Sequence, residues 1–402
     1  MVTSPGVLPP LPRPSALGRD GWDDLLAIVA DAAGNVPPLY VSSVLGLPWT
    51  WLPPHPRYSE FHILDLWQVE RAAKYVIEAT FPAITASAPP FGPPLLNTLI
   101  WRPTVVLQRP DHRGNYTTYP REAWFFVNGI LTNDGVAHLN AAYLADLFHR
   151  PITIVQNSTG SILSDLVECA LGKQWYRATE SVRQAFPAIY DALTSEKERV
   201  VVIAHSQGTI IMSVVLRLLQ ESLRLGASHP RDRARLAASG VETVPPHDWP
   251  IELEEFEPIT ASQLAKLEIY AFANCASTMT FVEPDAPAHA AIPWIESFGN
   301  EQDIVASLGM LAPHAEQRGI RLDGPCYVRR GAWGHLLNAH YLQAIEEAQR
   351  TGYRRGGNGT ETPFELLNPG VPHEATPRLF AYLNGGTPPT RSRAPAKNPA
   401  AA

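Results

Sequence analysis

Apolar and polar residues follow two patterns along the middle of the chain. Short apolar runs rich in β-branched and aromatic residues, typical of buried strands, are separated by longer stretches with apolar residues at helical spacing. The strand-like runs lie at residues 123–127, 152–155, 199–204, 267–273, 294–298 and 326–329. The helical patterns lie at residues 136–148, 182–193, 209–223 and 336–350. This alternation predicts an α/β fold, a mainly parallel sheet with helices on both faces.

The remaining sequence suggests additions around an α/β domain at 120–350. Residues 1–18 are expected to be a disordered or surface tail, and residues 19–119 an N-terminal extension and hairpin packed on the core. Within that extension a helical pattern covers 59–81, and Pro103 places the run at 99–107 at a sheet edge. A polar stretch at about 226–262 is interpreted as a cap-like insertion. Residues 351–402 are expected to be a C-terminal loop and disordered tail.

The composition narrows the class of protein. The 32 Lys and Arg residues against 39 Asp and Glu residues give a formal charge of −7, which excludes the basic footprint of a general nucleic-acid binder. The three cysteines are far apart and offer neither a disulfide framework nor a metal clasp. The N-terminus lacks the apolar core of a secretory signal, and no apolar run reaches the roughly 18 residues that span a bilayer. These features predict a cytoplasmic protein.

The sharpest local motif is Ala204-His-Ser-Gln-Gly208, which joins an apolar strand directly to a helix. A serine at the tip of such a turn adopts a strained backbone, so its second neighbours on either side must be small. Here they are alanine and glycine. Ser206 is therefore a candidate nucleophile, and the backbone N–H of Gln207 is a candidate oxyanion donor. The alternative is a serine that caps the helix in an ordinary turn.

This motif resembles that of the α/β-hydrolase superfamily, in particular its lipase and serine-esterase type. The resemblance covers about residues 120–345 and implies that an acid and then a histidine follow the serine along the chain. Asp303, in the loop predicted after the strand at 294–298, is the candidate acid; Glu301 is the rival and Asp285 ranks third. An N-capping role is the alternative for Asp303.

Two histidines near the last predicted helix are candidates for the base. His335 follows Gly334 at the junction of loop and helix and is favoured. His340 lies within the helix, where it would point about 140° away, and packing with Tyr341 is expected for it.

The resemblance also implies a second oxyanion donor from a loop after an early strand. Asn128-Gly129-Ile130-Leu131 occupies this position, with Asn where the family usually has His, and the N–H of Ile130 is the predicted donor, with Leu131 as the alternative. An ordinary Asn-Gly turn is the competing interpretation. No metal or organic cofactor is expected.

The function implied is hydrolysis of a carboxylic ester through an acyl-enzyme. An acyltransferase or thioesterase with the same triad, and a non-catalytic hydrolase-like scaffold that binds a small molecule or a protein, are the alternatives. The expected partner is a small-molecule ester rather than a nucleic acid. Trp49, Trp51, Trp67 and Phe91 would suit an apolar acyl chain or contact with a membrane surface, although packing between extension and domain is the favoured explanation for the tryptophans. The sequence does not indicate an oligomeric state.

Overall fold

A computed structural model describes the parts of the chain that position the candidate site. The described residues are 55–62, 105–108, 121–129, 132, 134–157, 179–226, 251–281, 293–315, 317, 319–351, 355–356, 359–360, 363–369, 371, 373–374 and 376–389. The predicted tail at 1–18, most of the helical pattern at 59–81 and the central part of the predicted cap, 227–250, lie outside them.

The fold is built on an eight-stranded sheet with the strand order β1-β3-β2-β4-β5-β6-β7-β8. Its strands are β1 (Val105–Gln108), β2 (Glu122–Val127), β3 (Thr153–Asn157), β4 (Arg199–His205), β5 (Leu267–Phe272), β6 (Trp294–Gln302), β7 (Cys326–Trp333) and β8 (Glu365–Leu366). The strands β2 to β7 run parallel, and β1 and β8 are antiparallel at the two edges. The carboxyl ends of the parallel strands therefore meet at one edge of the sheet.

Four helices accompany the sheet in the described part of the chain. They are α1 (Asp134–Phe148), α2 (Thr179–Thr194), α3 (Gln207–Gly226) and α4 (Gln343–Thr351), and a π-helical stretch, Leu337–Leu342, precedes the last. Shorter helical turns are Glu60–His62, Leu253–Glu255, Ala261–Leu264, Ala306–Leu308 and Arg378–Gly385. Two small ribbons pair Thr278–Met279 with Arg321–Leu322 and Arg355–Gly356 with Gly359–Thr360.

The sheet buries both of its faces, which explains the continuous apolar runs of its central strands. On β4, Val200 and Val202 pack with residues of α2 and α3, whereas Val201 and Ile203 face the opposite side with residues of α1. All four valine and isoleucine side chains are fully buried. The predicted class, a mainly parallel sheet with helices on both faces, is confirmed.

The C-terminal part differs from the loop and tail expected after residue 350. Leu366 pairs with Tyr327, which adds β8 to the sheet, and the turn Arg378–Gly385 buries Leu379 and Tyr382 in the core. These apolar residues come in short groups between prolines, so this part of the sequence shows no periodic pattern. The domain thus includes residues well beyond the predicted boundary.

Two buried glutamates of the sheet bind this segment through hydrogen bonds. Glu268 of β5 accepts hydrogen bonds from Arg378 Nε at 3.1 Å and Nη2 at 3.0 Å, and from the Tyr270 and Tyr382 hydroxyls at 2.7 Å. Glu296 of β6 accepts the backbone N–H groups of Arg378 and Leu379. Burial raises the pKa of Glu296 to about 8. The C-terminal segment therefore supplies donors to two buried carboxylates of the sheet.

Among the described residues no helix is both long and apolar enough to cross a bilayer.

Replacement of Arg378 by alanine should destabilise the fold by about 3–5 kcal/mol, because it leaves the Glu268 carboxylate buried without its charged partner. Urea unfolding of Arg378→Ala against the wild type measures the change. Arg350→Ala is the matched control: its ion pair with Glu347 is mostly exposed, so the free energy of unfolding should change by less than about 0.5 kcal/mol. Similar losses in the two variants would contradict the assignment.

Candidate active site

A sharp turn between β4 and α3 holds Ser206. Its backbone has φ 58°, a left-handed conformation that non-glycine residues seldom adopt. The Ser206 N–H still donates to the Phe272 carbonyl at 2.9 Å, and its carbonyl accepts from Thr209 N and Thr209 Oγ1 in the first turn of α3. Bonds from both sides thus hold the strained residue at the carboxyl end of the sheet.

Two glycines leave space for this turn. A Cβ on Gly208 would lie 2.2 Å from the Val127 carbonyl oxygen, and a Cβ on Gly129 would lie 2.3 Å from Ser206 Cβ and 2.9 Å from Ser206 Oγ. No rearrangement short of moving the backbone would accommodate either methyl group. The end of β2 therefore packs directly against the serine turn, which explains why glycine is needed at both positions.

His335 lies against Ser206. Its Nε2 is 2.8 Å from Ser206 Oγ, and both side chains are buried. The histidine follows β7 after Gly334, whose φ of 92° turns the chain back over the sheet. The structure thus brings together two of the residues that the sequence singled out, although 129 positions separate them.

Asp303 completes a hydrogen-bonded chain. Its Oδ2 lies 2.9 Å and its Oδ1 3.1 Å from His335 Nδ1. The side chain is fully buried. Burial alone would raise the pKa of Asp303, but attraction to His335 and hydrogen bonds from His335, Tyr341 and the Val305 N–H outweigh it, so the pKa lies below its usual value. The carboxylate stays ionised and fixes the orientation of the imidazole.

Two supporting residues were not predicted from the sequence. The Tyr341 hydroxyl donates to Asp303 Oδ2 at 2.6 Å and accepts the Asn300 N–H at 3.1 Å. The Asn300 side-chain amide also donates to the Gly334 carbonyl at 2.9 Å, which joins the end of β6, just before Asp303, to the residue before His335. Tyr341 was expected only to pack with His340, and no sequence feature distinguished Asn300.

His205, directly before Ser206, packs against the ring of His335. Its ring centroid lies 4.6 Å from that of His335, and its Nε2 is 2.8 Å from the His335 carbonyl oxygen, to which it donates. Burial, followed by repulsion from His335, lowers the pKa of His205 to about 3. This histidine is therefore neutral and supports its neighbour without competing for a proton.

The rival candidates lie elsewhere. Nδ1 of His340 accepts the Leu336 N–H at 2.9 Å, and the ring fills the space beside Gly334. Glu301 lies near the end of β6, which is longer than the strand predicted at 294–298. It forms an exposed ion pair with Arg330 at 2.8 Å. Asp285 lies outside the described residues.

The candidate oxyanion donors are described only in part. Gln207 is the first residue of α3, where helix N–H groups point away from the helix body. Ile130 and Leu131 lie outside the described residues, but Asn128 and Gly129 are buried beside the serine turn. The Asn128 side-chain amide donates to the Gly129 carbonyl at 3.0 Å, which supports the backbone there.

The arrangement can move a proton. A buried serine hydroxyl, an imidazole and an ionised carboxylate form one hydrogen-bonded line, which is what activates a hydroxyl as a nucleophile. Within the described ranges no group of His, Cys, Asp and Glu side chains could hold a metal ion.

Comparisons with known proteins add little to this geometry. No protein-family model matches the sequence, and no curated protein matches it. Among solved structures, a hyperthermophilic esterase from the archaeon Pyrobaculum calidifontis is 12% identical, with a TM-score of 0.31 over 72% of this chain and 90% of that chain. A monoclinic form of a Pyrobaculum calidifontis esterase is 15% identical, with a TM-score of 0.28 over 61% and 81%. Both TM-scores lie below the level at which a likeness bears on the fold, and the fold itself is a mainly parallel sheet with helices on both faces.

Gly129→Ala should destabilise the protein by about 1–3 kcal/mol, because the new methyl group would overlap Ser206 and displace it. Gly299→Ala is the control, since a Cβ there would meet only the flexible ends of Met310 and Leu311 at 3.0 Å or more. Denaturant unfolding of both variants measures the difference. A Gly129 variant as stable as the Gly299 variant would show that β2 does not restrain the serine turn.

Proposed function

We propose that this protein is a serine hydrolase that cleaves carboxylic esters. The observation that carries the proposal is the hydrogen-bonded line from Ser206 through His335 to Asp303, with the serine in a positive-φ turn between a strand and a helix. A non-catalytic scaffold would not need a strained, buried serine aligned with a base and an ionised acid.

Ser206 Oγ attacks the ester carbonyl carbon while His335 Nε2 takes its proton. The N–H of Gln207, at the positive end of the α3 dipole, stabilises the resulting oxyanion, with the N–H of Ile130 as the second donor. Collapse of the tetrahedral intermediate breaks the bond to the alkoxy group, which leaves as the alcohol with the proton from His335. Water, deprotonated by the same histidine, then attacks the acyl-enzyme and releases the acid and the free serine.

An acyl chain of low polarity is the proposed substrate group, because apolar residues follow Ser206 and Asp303 closely along the chain. Val305 and Leu308 are buried with Cys275, and Ile210 and Ile304 pack against them. Ile210 is one helical turn after Ser206, and Ile304 directly follows Asp303. A thioesterase or acyltransferase would use the same residues, so the leaving group and acceptor must be tested directly.

Ser206→Ala should lower turnover of p-nitrophenyl esters by roughly 10⁴- to 10⁶-fold and abolish labelling by a fluorophosphonate probe, because among the described residues Ser206 supplies the hydroxyl that contacts His335 Nε2. A chain-length series of the esters, with matching thioesters and added alcohol acceptors, measures preference and reaction type. Ser213→Ala is the control: this buried hydroxyl of α3 donates to the Ile210 carbonyl, and its loss should leave labelling intact. Near-normal turnover in Ser206→Ala would refute the proposal.

The acid can be tested with an isosteric pair of variants. Asp303→Asn should lower kcat by about 10⁴-fold, because an amide cannot hold His335 in the required tautomer. Glu301→Gln, two residues away and exposed, should change kcat by less than about twofold. Ester hydrolysis under saturating substrate measures both. Equal effects would show that Asp303 has no special role.

A further inference from the structure

The segment 55–62 lies against the helical stretch that follows His335. The Glu60 carboxylate accepts the Asn338 N–H at 2.7 Å on Oε1 and the Ala339 N–H at 2.9 Å on Oε2. The Asn338 side-chain amide donates to the Tyr58 carbonyl at 2.7 Å. Residues far from the α/β domain in sequence thus cap the helix that begins two residues after the candidate base.

A helix cap alone does not require a buried carboxylate. Serine or asparagine caps helix N–H groups without the cost of desolvating a charge. Glu60 is only 1% exposed. Burial raises the pKa of Glu60 to about 7, although the two backbone N–H groups and attraction to His335 oppose this shift. The residue therefore changes its charge near neutral pH, within the electrostatic reach of the imidazole.

The other titratable groups around His335 do not duplicate this charge. Asp303 bonds its Nδ1, His205 is neutral, and the Tyr341 hydroxyl is directed at Asp303. Burial raises the pKa of Tyr341 far above its usual value, so it is neutral too. His340 interacts with the Leu336 N–H. Tyr143, which faces Glu60, is also neutral, since burial and a bond to Glu346 raise its pKa.

We infer that Glu60 is a positioning residue for His335, which holds the start of the histidine-bearing helix and adds a second negative charge that stabilises the imidazolium formed during turnover. This inference rests on the proposed function, because it assigns Glu60 a role only if His335 acts as the base. It gives the N-terminal segment a part in catalysis that the α/β domain does not supply by itself.

A pH profile separates charge from capping. Glu60→Gln keeps the size of the side chain and one acceptor oxygen but removes the ionised form. We expect kcat/KM for a p-nitrophenyl ester to fall roughly tenfold at about pH 8–9, where the wild-type carboxylate is ionised. Below about pH 6 the two profiles should converge, because wild-type Glu60 is then protonated and also neutral. The acid limb of the wild type should accordingly be steeper than that of the variant.

Glu296→Gln is the matched control. Glu296 is also buried and accepts two successive backbone N–H groups, but it contacts Arg378 and Leu379 rather than the candidate site. Its kcat/KM should equal that of the wild type at each pH. If Glu60→Gln does not fold, Glu60→Asp is measured instead. Because this variant retains the negative charge, the acid limb of its pH profile should stay steeper than tenfold per pH unit, as in the wild type.

The outcomes distinguish the two proposals. If the ratio of kcat/KM between wild type and Glu60→Gln is the same at all pH values, Glu60 is only a structural cap and the inference is overturned. A wild-type acid limb of tenfold per pH unit or less would also overturn it. Ester hydrolysis that survives Ser206→Ala would instead refute the proposed function. Convergence at low pH, with loss at high pH, would support the role of the charge.

Discussion

The close approach of β2 to the turn after β4 constrains the rest of the structure. The Val127 carbonyl packs against Gly208, and Gly129 packs against Ser206. The backbones of these two segments are so close that a side chain on either glycine would not fit between them. This contact requires β2 and β4 to be neighbours in parallel register, with Val127 opposite Ala204. Helices on both faces follow from that arrangement, because a parallel sheet needs crossover connections that cover it.

Buried charge is handled differently at the two ends of the sheet. At the amino ends, Glu122 and Glu268 pair with the buried Arg150 and Arg378. Multiple hydrogen bonds hold each of these carboxylates in place, and they contribute to structure. At the carboxyl ends, Asp303 faces an imidazole and a tyrosine hydroxyl instead of an arginine. The buried ion pairs with arginine and the candidate site thus lie at opposite ends of the sheet.

The sequence predicted the central sheet well because its strands have only one interpretation: β-branched runs between helical patterns must be buried parallel strands. The strand-to-helix turn with small neighbours also indicated Ser206, and the resemblance to the α/β-hydrolase superfamily implied Asp303 and His335, which lie together with it in the structure. The sequence did not reveal Glu60, Asn300 or Tyr341. Their roles depend on which loops meet in three dimensions, and polar residues of this kind occur throughout the chain without a periodic pattern. The C-terminal strand and turn were missed for the same reason: the strand pairs with Tyr327 and Val328, and the turn binds glutamates on distant strands.

The pairing of Glu268 with Arg378 also bears on the order in which a ribosome produces the chain. The carboxylate emerges 110 residues before its guanidinium partner, so a growing chain that has already completed β5 still lacks the group that neutralises it. Until then the amino end of the sheet contains an uncompensated acid that favours hydration over packing. The core that holds the candidate site is therefore expected to complete its packing only when the last part of the domain has been synthesised.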